Sequence, residues 1–343
     1  MKKAITAFLA ITAVLSCSKM SQPTTASATD PASASAYALP TATPGMKTWV
    51  QGERFCDFTA RAFQGMYSIN DRLYVVAGRG VSKCSGDTWW TSDCETWVTS
   101  SAKAEFAPRD SFAGAVFNNK MWVIGGSDKN IYFKDVWSSS DGVTWTAAAI
   151  TWTAAASVPG FSERAGLSAA VLKDVLYITA GSNGKKELND VWSSKDGNSW
   201  TRLKEDNDKG FPQRTGHKLL SYAGKLWIIG GKNGAENFLS DVWSSENGID
   251  WKIATPNAGF SGRSDFAALT YKERMWVMGG MGAKGAQNND VWWTVNGYYW
   301  VSTTAKADFE ARSGFNAAEY KGRVYLTGGI SGGKLKRDLW VSQ

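Results

Sequence analysis

The stretch DVWSSSDGVTW, Asp135–Trp145, recurs along this chain and decides its fold. In its four close copies an Asp-Gly or Asn-Gly pair lies between two tryptophans eight residues apart. This pattern is typical of a two-strand hairpin, because these residues adopt positive φ at little cost. A truncated copy, DLWVSQ, ends the chain. The other copies are DVWSSKDGNSW (Asp190–Trp200), DVWSSENGIDW (Asp241–Trp251), DVWWTVNGYYW (Asp290–Trp300) and the degenerate DTWWTSDCETW (Asp87–Trp97).

Further columns recur upstream of each copy. A Phe lies three residues before an Arg, an aromatic residue follows that Arg by 13 residues, and a Gly-Gly or Ala-Gly pair ends the β-like run that carries the aromatic. Each unit therefore predicts four antiparallel strands, named a to d, and such repeated units are typical of propeller blades. The Arg column comprises Arg61, Arg109, Arg164, Arg214, Arg263 and Arg312, and the Asp column comprises Asp87, Asp135, Asp190, Asp241, Asp290 and Asp338.

These columns resemble the kelch group of β-propellers and the central domain of galactose oxidase. The resemblance rests on the Arg before strand a, the Gly pair after strand b and the Trp of strand d, and it covers residues 47–343. It implies an all-β, six-bladed propeller of four-stranded antiparallel blades. The sixth copy lacks strand d, whereas Trp49 precedes Arg61 by 12 residues, as Trp97 precedes Arg109. We therefore expect the N-terminal strand to join the C-terminal blade and close the ring, which removes open sheet edges.

A tandem duplication interrupts the regular spacing in the second unit. TWTAAAI, Thr144–Ile150, is followed directly by TWTAAAS, Thr151–Ser157. Either Trp145 or Trp152 could occupy the strand-d position. The interval of eight residues from Trp137 favours Trp145 and leaves Thr151–Ser157 as a bulged loop.

The first 16 residues are predicted to be a secretory signal peptide. Two lysines precede an apolar run, Ala4–Leu15, that is too short to span a bilayer as a mature helix. The residues before Cys17 resemble the lipobox of bacterial lipoproteins, which implies lipid on the Cys17 thiol. Ser18 after this cysteine favours, by the same resemblance, the outer membrane of the bacterial cell envelope.

Residues 17–46 begin with the lipidated cysteine and are rich in Ser, Thr, Ala and Pro. Such a segment buries too little apolar surface to offset its ordering entropy, so it is predicted to be a disordered tether. The membrane contact of the exported protein would then be the lipid anchor alone.

The charge of the chain is mildly basic. It has 38 Lys and Arg against 31 Asp and Glu, a formal net charge of +7. This balance lacks the dense basic stripe of a nucleic-acid binder, so no nucleic-acid partner is expected. We expect a monomer.

Three cysteines other than Cys17 belong to the first blade. Cys56 and Cys84 are predicted on loops of the same face, whereas Cys94 lies in the strand c–d turn of the opposite face. An exported compartment permits a disulfide, and Cys56–Cys84 is the pair that the topology favours. Three reduced thiols are the alternative.

The sequence offers few sets of residues that could catalyse a reaction or bind a metal. His217, the single histidine, stands in a mostly apolar column and is expected to be an inner-strand residue. A copper site like that of galactose oxidase needs more than one His, and no Cys or His cluster has zinc spacing. We expect no metal, no cofactor and no catalytic residues. The Arg and Asp columns recur in every blade and are interpreted as scaffold, through charge-assisted hydrogen bonds.

Function is expected where the repeats differ, on the loops that the rigid ring presents. The b–c loops carry many cations, whereas the c–d turns of the opposite face lean acidic. Kelch proteins that bind peptides use the face of the d–a and b–c loops and the residues after the strand-a Arg. The alternative is that the loop lysines merely keep the surface solvated. The candidate binding residues are Arg79, Lys129, Lys185, Lys186, Thr215, Lys232, Ser264, Lys284, Ser313, Lys334 and Lys336.

Three functions compete. The first is a non-catalytic, lipid-anchored binding module that recognises an envelope glycan or protein, anionic in character, on the d–a/b–c face. The second follows from the kelch resemblance, since a periplasmic kelch propeller that epimerises sialic acid exists. Arg214, Arg263, Asp265 and Glu310 are the candidates for it. The third is a structural envelope scaffold.

Overall fold

The structure, a computed structural model, describes residues 45–52, 55–153 and 160–343. The predicted signal peptide, Cys17 and nearly all of the predicted tether lie outside the described residues. Met46, predicted as the last tether residue, is instead buried in the core cluster that the fifth and sixth blades share. No helix in the described part of the chain has the length and apolarity that a membrane crossing requires.

Six sheets of four antiparallel strands form the ring, as predicted. The first blade consists of β2 (Gly65–Ile69), β3 (Arg72–Arg79), β4 (Cys84–Thr91) and β5 (Val98–Ser101). The second consists of β6 (Ala113–Phe117), β7 (Lys120–Ile124), β10 (Val136–Ser139) and β11 (Thr146–Ala147). The third consists of β13 (Ser168–Leu172), β14 (Val175–Ser182), β15 (Glu187–Ser194) and β16 (Ser199–Lys204).

Blades four to six continue the pattern. The fourth blade consists of β17 (Lys218–Tyr222), β18 (Lys225–Lys232), β19 (Phe238–Ser245) and β20 (Lys252–Thr255). The fifth consists of β21 (Ala267–Tyr271), β22 (Arg274–Met281), β23 (Gln287–Thr294) and β24 (Val301–Thr304). The sixth consists of β25 (Ser313–Tyr320), β26 (Arg323–Ser331), β28 (Leu339–Ser342) and β1 (Trp49–Gln51). Minor elements are β8 (Ser127–Asp128), β9 (Ile131–Tyr132), β12 (Thr151–Thr153), β27 (Lys334–Leu335) and a 3-10 turn, Ala283–Gly285.

The N-terminal strand closes the ring as expected. Strand β1 pairs antiparallel with β28, so that Trp49 lies opposite Ser342. The Trp49 ring meets Phe309 edge-on at 5.3 Å, which is the contact that the strand-d Trp and the column Phe make in the other blades. The sixth blade is thus completed from the other end of the chain.

Trp145 occupies the strand-d position of the second blade, as the spacing favoured. This residue is buried and packs edge-on against Phe106 at 5.1 Å. The prediction that Thr151–Ser157 is only a bulged loop is wrong for its first part. Thr151–Thr153 forms β12, which pairs parallel with β16 of the third blade. The duplication therefore adds a short edge strand to the next blade.

One arginine in each blade connects that blade to the one before it. The guanidinium of Arg164 donates to both carboxylate oxygens of Asp190 in its own blade, at 2.6 and 2.8 Å. Its peptide group pairs with the preceding blade, because the N–H donates to Phe133 O and the carbonyl accepts from Gly126 N. The other five copies repeat this arrangement. The scaffold interpretation of both columns is confirmed.

The Gly pair makes this junction possible. At Gly126 the backbone has φ of 97°, and a Cβ there would lie 2.7 Å from the carbonyl oxygen of Asp110. A side chain would therefore displace the peptide that bonds to the next arginine. Glycine recurs at the second position of each pair because the interface between blades leaves no room there for a Cβ.

The predicted Cys56–Cys84 disulfide is not formed. Cys56, Cys84 and Cys94 are free thiols. Cys56 Sγ lies 3.8 Å from Thr327 Oγ1 in blade six, whereas Cys84 Sγ donates to Asp110 Oδ2 in blade two at 3.3 Å. Each thiol packs toward a different neighbour of the first blade, which separates them. Burial raises the pKa of Cys56 to about 12, so its thiol stays protonated at neutral pH.

Replacing the closing tryptophan should weaken the whole ring. We expect Trp49→Ala to lower the free energy of unfolding by about 3–5 kcal/mol, because it empties the position that packs on Phe309. Val50→Ala in the same strand is the control, since Val50 is half exposed and should cost less than about 0.5 kcal/mol. Urea unfolding measures both. Equal effects would contradict the assignment of Trp49 as the closure residue.

The column carboxylates should make the fold acid-labile. Burial raises the pKa of Asp338, but the hydrogen bonds and charge of Arg312 lower it more, and the same holds for Asp87 with Arg61. A depressed pKa in the folded state contributes stability that is present above the unfolded pKa and is lost as pH falls. We expect the free energy of unfolding to decrease below about pH 4.

Denaturant unfolding at pH 7, 5 and 3 measures this loss. Asp174→Asn is the control at neutral pH, because Asn119 occupies the equivalent turn position of another blade with a similar positive φ. That variant should match the wild type at pH 7. Equal wild-type stability at pH 5 and pH 3 would contradict the expectation.

Candidate functional site

The innermost strand of every blade lines a central channel, and its entrance on the d–a/b–c face is narrowed by a closed ring of peptide groups. The residue two positions after each column Arg donates its N–H to the carbonyl of the equivalent residue in the preceding blade. The six hydrogen bonds have lengths of 2.6–3.2 Å. The axial ring consists of Phe63, Ser111, Gly166, Gly216, Asp265 and Gly314.

All six residues of the axial ring have φ between 55° and 66°. This left-handed conformation suits glycine, which occupies three positions, and strains the other three. Sequence reasoning selected the residues directly after each Arg and missed this column. Its available signal was the glycine that stands two residues after Arg164, Arg214 and Arg312.

A small cavity of about 60 Å³ lies at this entrance, which we call the mouth. All six axial-ring residues line it, together with residues one or two positions further along the chain, among them Gln64, His217, Lys218 and Asn316. The guanidinium of Arg79 lies 4.8 Å above the Phe63 ring. Arg79 Nε also donates to Asp110 Oδ2 at 2.8 Å.

Cations surround the carboxylate at the mouth. Burial raises the pKa of Asp265, and the Ser264 hydroxyl, which donates to its Oδ2 at 2.9 Å, opposes that effect. The charges of Lys232, Lys218 and Arg79 oppose it as well. Burial in turn lowers the pKa of Lys218, against the attraction of Asp265. One carboxylate thus lies within the fields of three cations from blades one and four.

His217 is buried, as predicted for an inner-strand residue. Its Nε2 is hydrogen-bonded to Thr179 Oγ1 at 2.8 Å, while Nδ1 has no hydrogen-bond partner among the described residues. Burial lowers the pKa of His217 well below its ordinary value, and the charges of Arg214 and Lys218 add to this. The imidazole is neutral at physiological pH.

The structure separates the 11 candidate binding residues into four groups. Ser264 and Ser313 are buried, so their side chains do not contribute to the surface. Thr215 and Lys232 are half-buried beside the axial ring. Three cations are held in ion pairs, namely Arg79 with Asp110, Lys186 with Asp206 and Lys336 with Glu310. The exposed lysines whose ammonium groups form no ion pair among the described residues are Lys129, Lys185, Lys284 and Lys334.

The charge difference between the two faces is smaller than the b–c loops alone indicated. The d–a loops share their face and supply Glu163, Asp206 and Glu310, which pair with b–c loop lysines. Of the four residues considered for sugar conversion, Arg214 and Arg263 are committed to buried ion pairs and Glu310 to Lys336. Only Asp265 faces the mouth.

No group of three or more His, Cys, Asp or Glu side chains in the described residues has the arrangement of a metal site. The expectation that the protein carries no metal or cofactor remains a prediction.

Comparison with known proteins places this architecture in a family. A kelch-repeat family profile, described as the KLHDC2/KLHL20/DRC7 Kelch-repeats domain, matches residues 66–246, more than half of the chain. The chain belongs to the kelch-repeat family. Its structure is similar to the solved structure of YjhT, with a TM-score of 0.64 and 16% sequence identity over 83% of this chain and 95% of that chain. This likeness shows a shared kelch fold. No curated protein sequence matches the chain.

Strain in the axial ring predicts that two substitutions change the free energy of unfolding in opposite directions. Ser111→Gly should raise the free energy of unfolding of this kelch propeller by about 1 kcal/mol, because glycine adopts positive φ without penalty. Gly166→Ser at the equivalent position of the next blade should lower it, since a Cβ there would clash with Thr215 Oγ1. Chemical denaturation measures both variants. Equal signs would contradict the role of φ at this ring.

Proposed function

We propose that this kelch propeller is a ligand-binding module that recognises an anionic partner at the mouth and the surrounding d–a/b–c face. The main supporting observation is the position of three cations at the mouth, where Asp265 is the single lining carboxylate. Lys218 lines the mouth, Arg79 lies over the Phe63 ring, and Lys232 pairs with Thr215 beside the axial ring. These cations exceed the mouth carboxylates in number even when Asp110 is counted as the partner of Arg79. A negatively charged group of the partner would neutralise the remaining positive charge at the mouth.

The size of the mouth limits what enters it. A cavity of about 60 Å³ is well below the several hundred cubic ångströms of pockets that enclose drug-sized ligands. A single carboxylate group of a larger partner fits such a space, while the rest of the partner lies over the loops. The exposed lysines Lys129, Lys185, Lys284 and Lys334 lie on the b–c loops of the same face and would attract a polymer with repeated negative charges. An acidic glycan and an acidic protein segment both have this chemistry.

A non-catalytic role is favoured over sugar conversion, because three of the four residues considered for that chemistry are held in ion pairs. The cellular setting rests on sequence alone. The apolar run before Cys17 and the lipobox-like residues support export and lipid anchoring in the cell envelope, with the outer membrane favoured. The partner would then be an envelope glycan or protein.

Charge reversal beside the mouth should weaken this binding. We expect Lys232→Glu to reduce the affinity for an oligogalacturonate or a Glu-rich peptide by about tenfold or more, measured by calorimetry at low salt. Wild-type affinity should fall as salt screens the contact. Lys195→Glu makes the same charge change on an exposed residue of the opposite face and should leave the affinity unchanged.

The two probes distinguish a glycan from a protein partner by which of them binds more tightly. Equal losses of affinity with Lys195→Glu and Lys232→Glu would show that binding depends only on the net charge of the protein. That result would contradict recognition by a specific face. Binding of neither probe would contradict recognition of acidic polymers.

A further inference from the structure

The central channel continues past the axial ring into a second cavity of about 180 Å³. Residues of the innermost strand of all six blades line it. Most of them are small or apolar, so the walls leave open space at the axis. The small residues are Gly65, Ala113, Gly114, Ser168, Ala169, Ala268 and Ala317.

Lys218 is the only charged residue among those that line this cavity. It stands four residues after its column Arg, where the other blades have Gly65, Ala113, Ser168, Ala267 and Asn316. It is half-buried, and no carboxylate forms an ion pair with it in the described part of the chain. Asp265 is its one acidic neighbour in the mouth, and that carboxylate already accepts from Ser264.

Two further side chains offer hydrogen-bond donors to the same cavity. Ser168 Oγ accepts from Leu219 N at 2.9 Å, which leaves its hydroxyl proton to be donated elsewhere. Asn316 Nδ2 donates one hydrogen to Gln64 O at 3.1 Å and retains a second. An ammonium, a hydroxyl and a carboxamide from three blades thus line a space that no carboxylate lines.

This donor set suits an anion of a particular kind. A single positive charge away from bulk water balances one negative charge, and a divalent anion would keep an uncompensated charge at high desolvation cost. The cavity also exceeds the space of a halide ion, so a larger monovalent anion with more than one acceptor oxygen, such as a carboxylate, suits its three donors.

We propose that the channel binds a small monocarboxylate at Lys218, with Ser168 and Asn316 as additional donors. The rest of the anion would lie along the backbone and small side chains that line the cavity. Lys218 lines both the mouth and this cavity, whereas Lys232 lines neither of them, so a variant of Lys232 tests recognition on the d–a/b–c face without altering the lining of the channel.

Acetate and lactate are suitable probes. We expect saturation-transfer NMR to detect acetate bound to the wild-type protein, lactate to compete with it, and chloride and phosphate to compete poorly at constant ionic strength. Lys218→Met keeps the length of the side chain and removes its charge, and should weaken acetate binding by about tenfold or more. Lys195→Met controls for the loss of one charge elsewhere and should bind acetate as the wild type does.

Lys232→Met separates the channel from the mouth. It should leave acetate binding unchanged, whatever its effect on acidic polymers. Loss of acetate binding with Lys232→Met instead would place the anion at the mouth and overturn the proposal. Unchanged binding with Lys218→Met, equal competition by chloride, or no acetate signal would overturn it too. Ser168→Ala gives a second test if Lys218→Met does not fold, and should weaken acetate binding several-fold while preserving the charge.

Discussion

Each blade depends on one arginine whose side chain and peptide group are used in different blades. The guanidinium of Arg164 satisfies Asp190 and a carbonyl in its own blade, while its peptide N–H and carbonyl bond to the blade before it. Buried charges must be paired and hydrogen-bonded to be tolerated, so the guanidinium cannot leave its carboxylate without large cost. The position of the peptide is therefore determined by the ion pair, and the position of the next blade is determined by the peptide. Repeated six times, this contact sets the geometry of the whole ring.

The axial ring follows from that constraint. Two residues beyond each arginine, the chain turns at positive φ and bonds to its equivalent in the neighbouring blade. The backbone positions around the axis are thus nearly identical in the six blades, and only the side chains differ. Binding chemistry at the mouth and in the channel accordingly depends on a few exchanges in a repeated frame, such as Asp265 in place of glycine and Lys218 in place of a small residue. Repetition provides rigidity, and departures from it provide the groups that can recognise a ligand.

Most of the fold could be predicted because its determinants recur. Six copies of one spacing identified the blades, and the interval from Trp49 to Arg61 identified the closing strand. Trp145 was favoured over Trp152 by the same regularity, and the structure agrees. The parallel strand β12 was missed because it pairs with another blade, which no periodicity within its own unit reveals. The disulfide was wrongly predicted because a shared face does not bring two thiols together, and Cys56 and Cys84 pack toward different neighbours.

The sequence by itself determined the architecture of this kelch propeller, because a blade is built from contacts between residues at repeated, short separations. Only the tertiary structure decided which charged side chains are held in ion pairs and which are available to contact a partner. Arg79, Lys186 and Lys336 looked equivalent to Lys185 and Lys232 along the chain, yet the first three are held by carboxylates from loops that the fold brings beside them. Ser264 and Ser313 followed their arginines as Thr215 does, yet both are buried. The pairing of a side chain depends on the neighbours that blade packing supplies, and those neighbours lie too far apart in sequence for spacing to predict them.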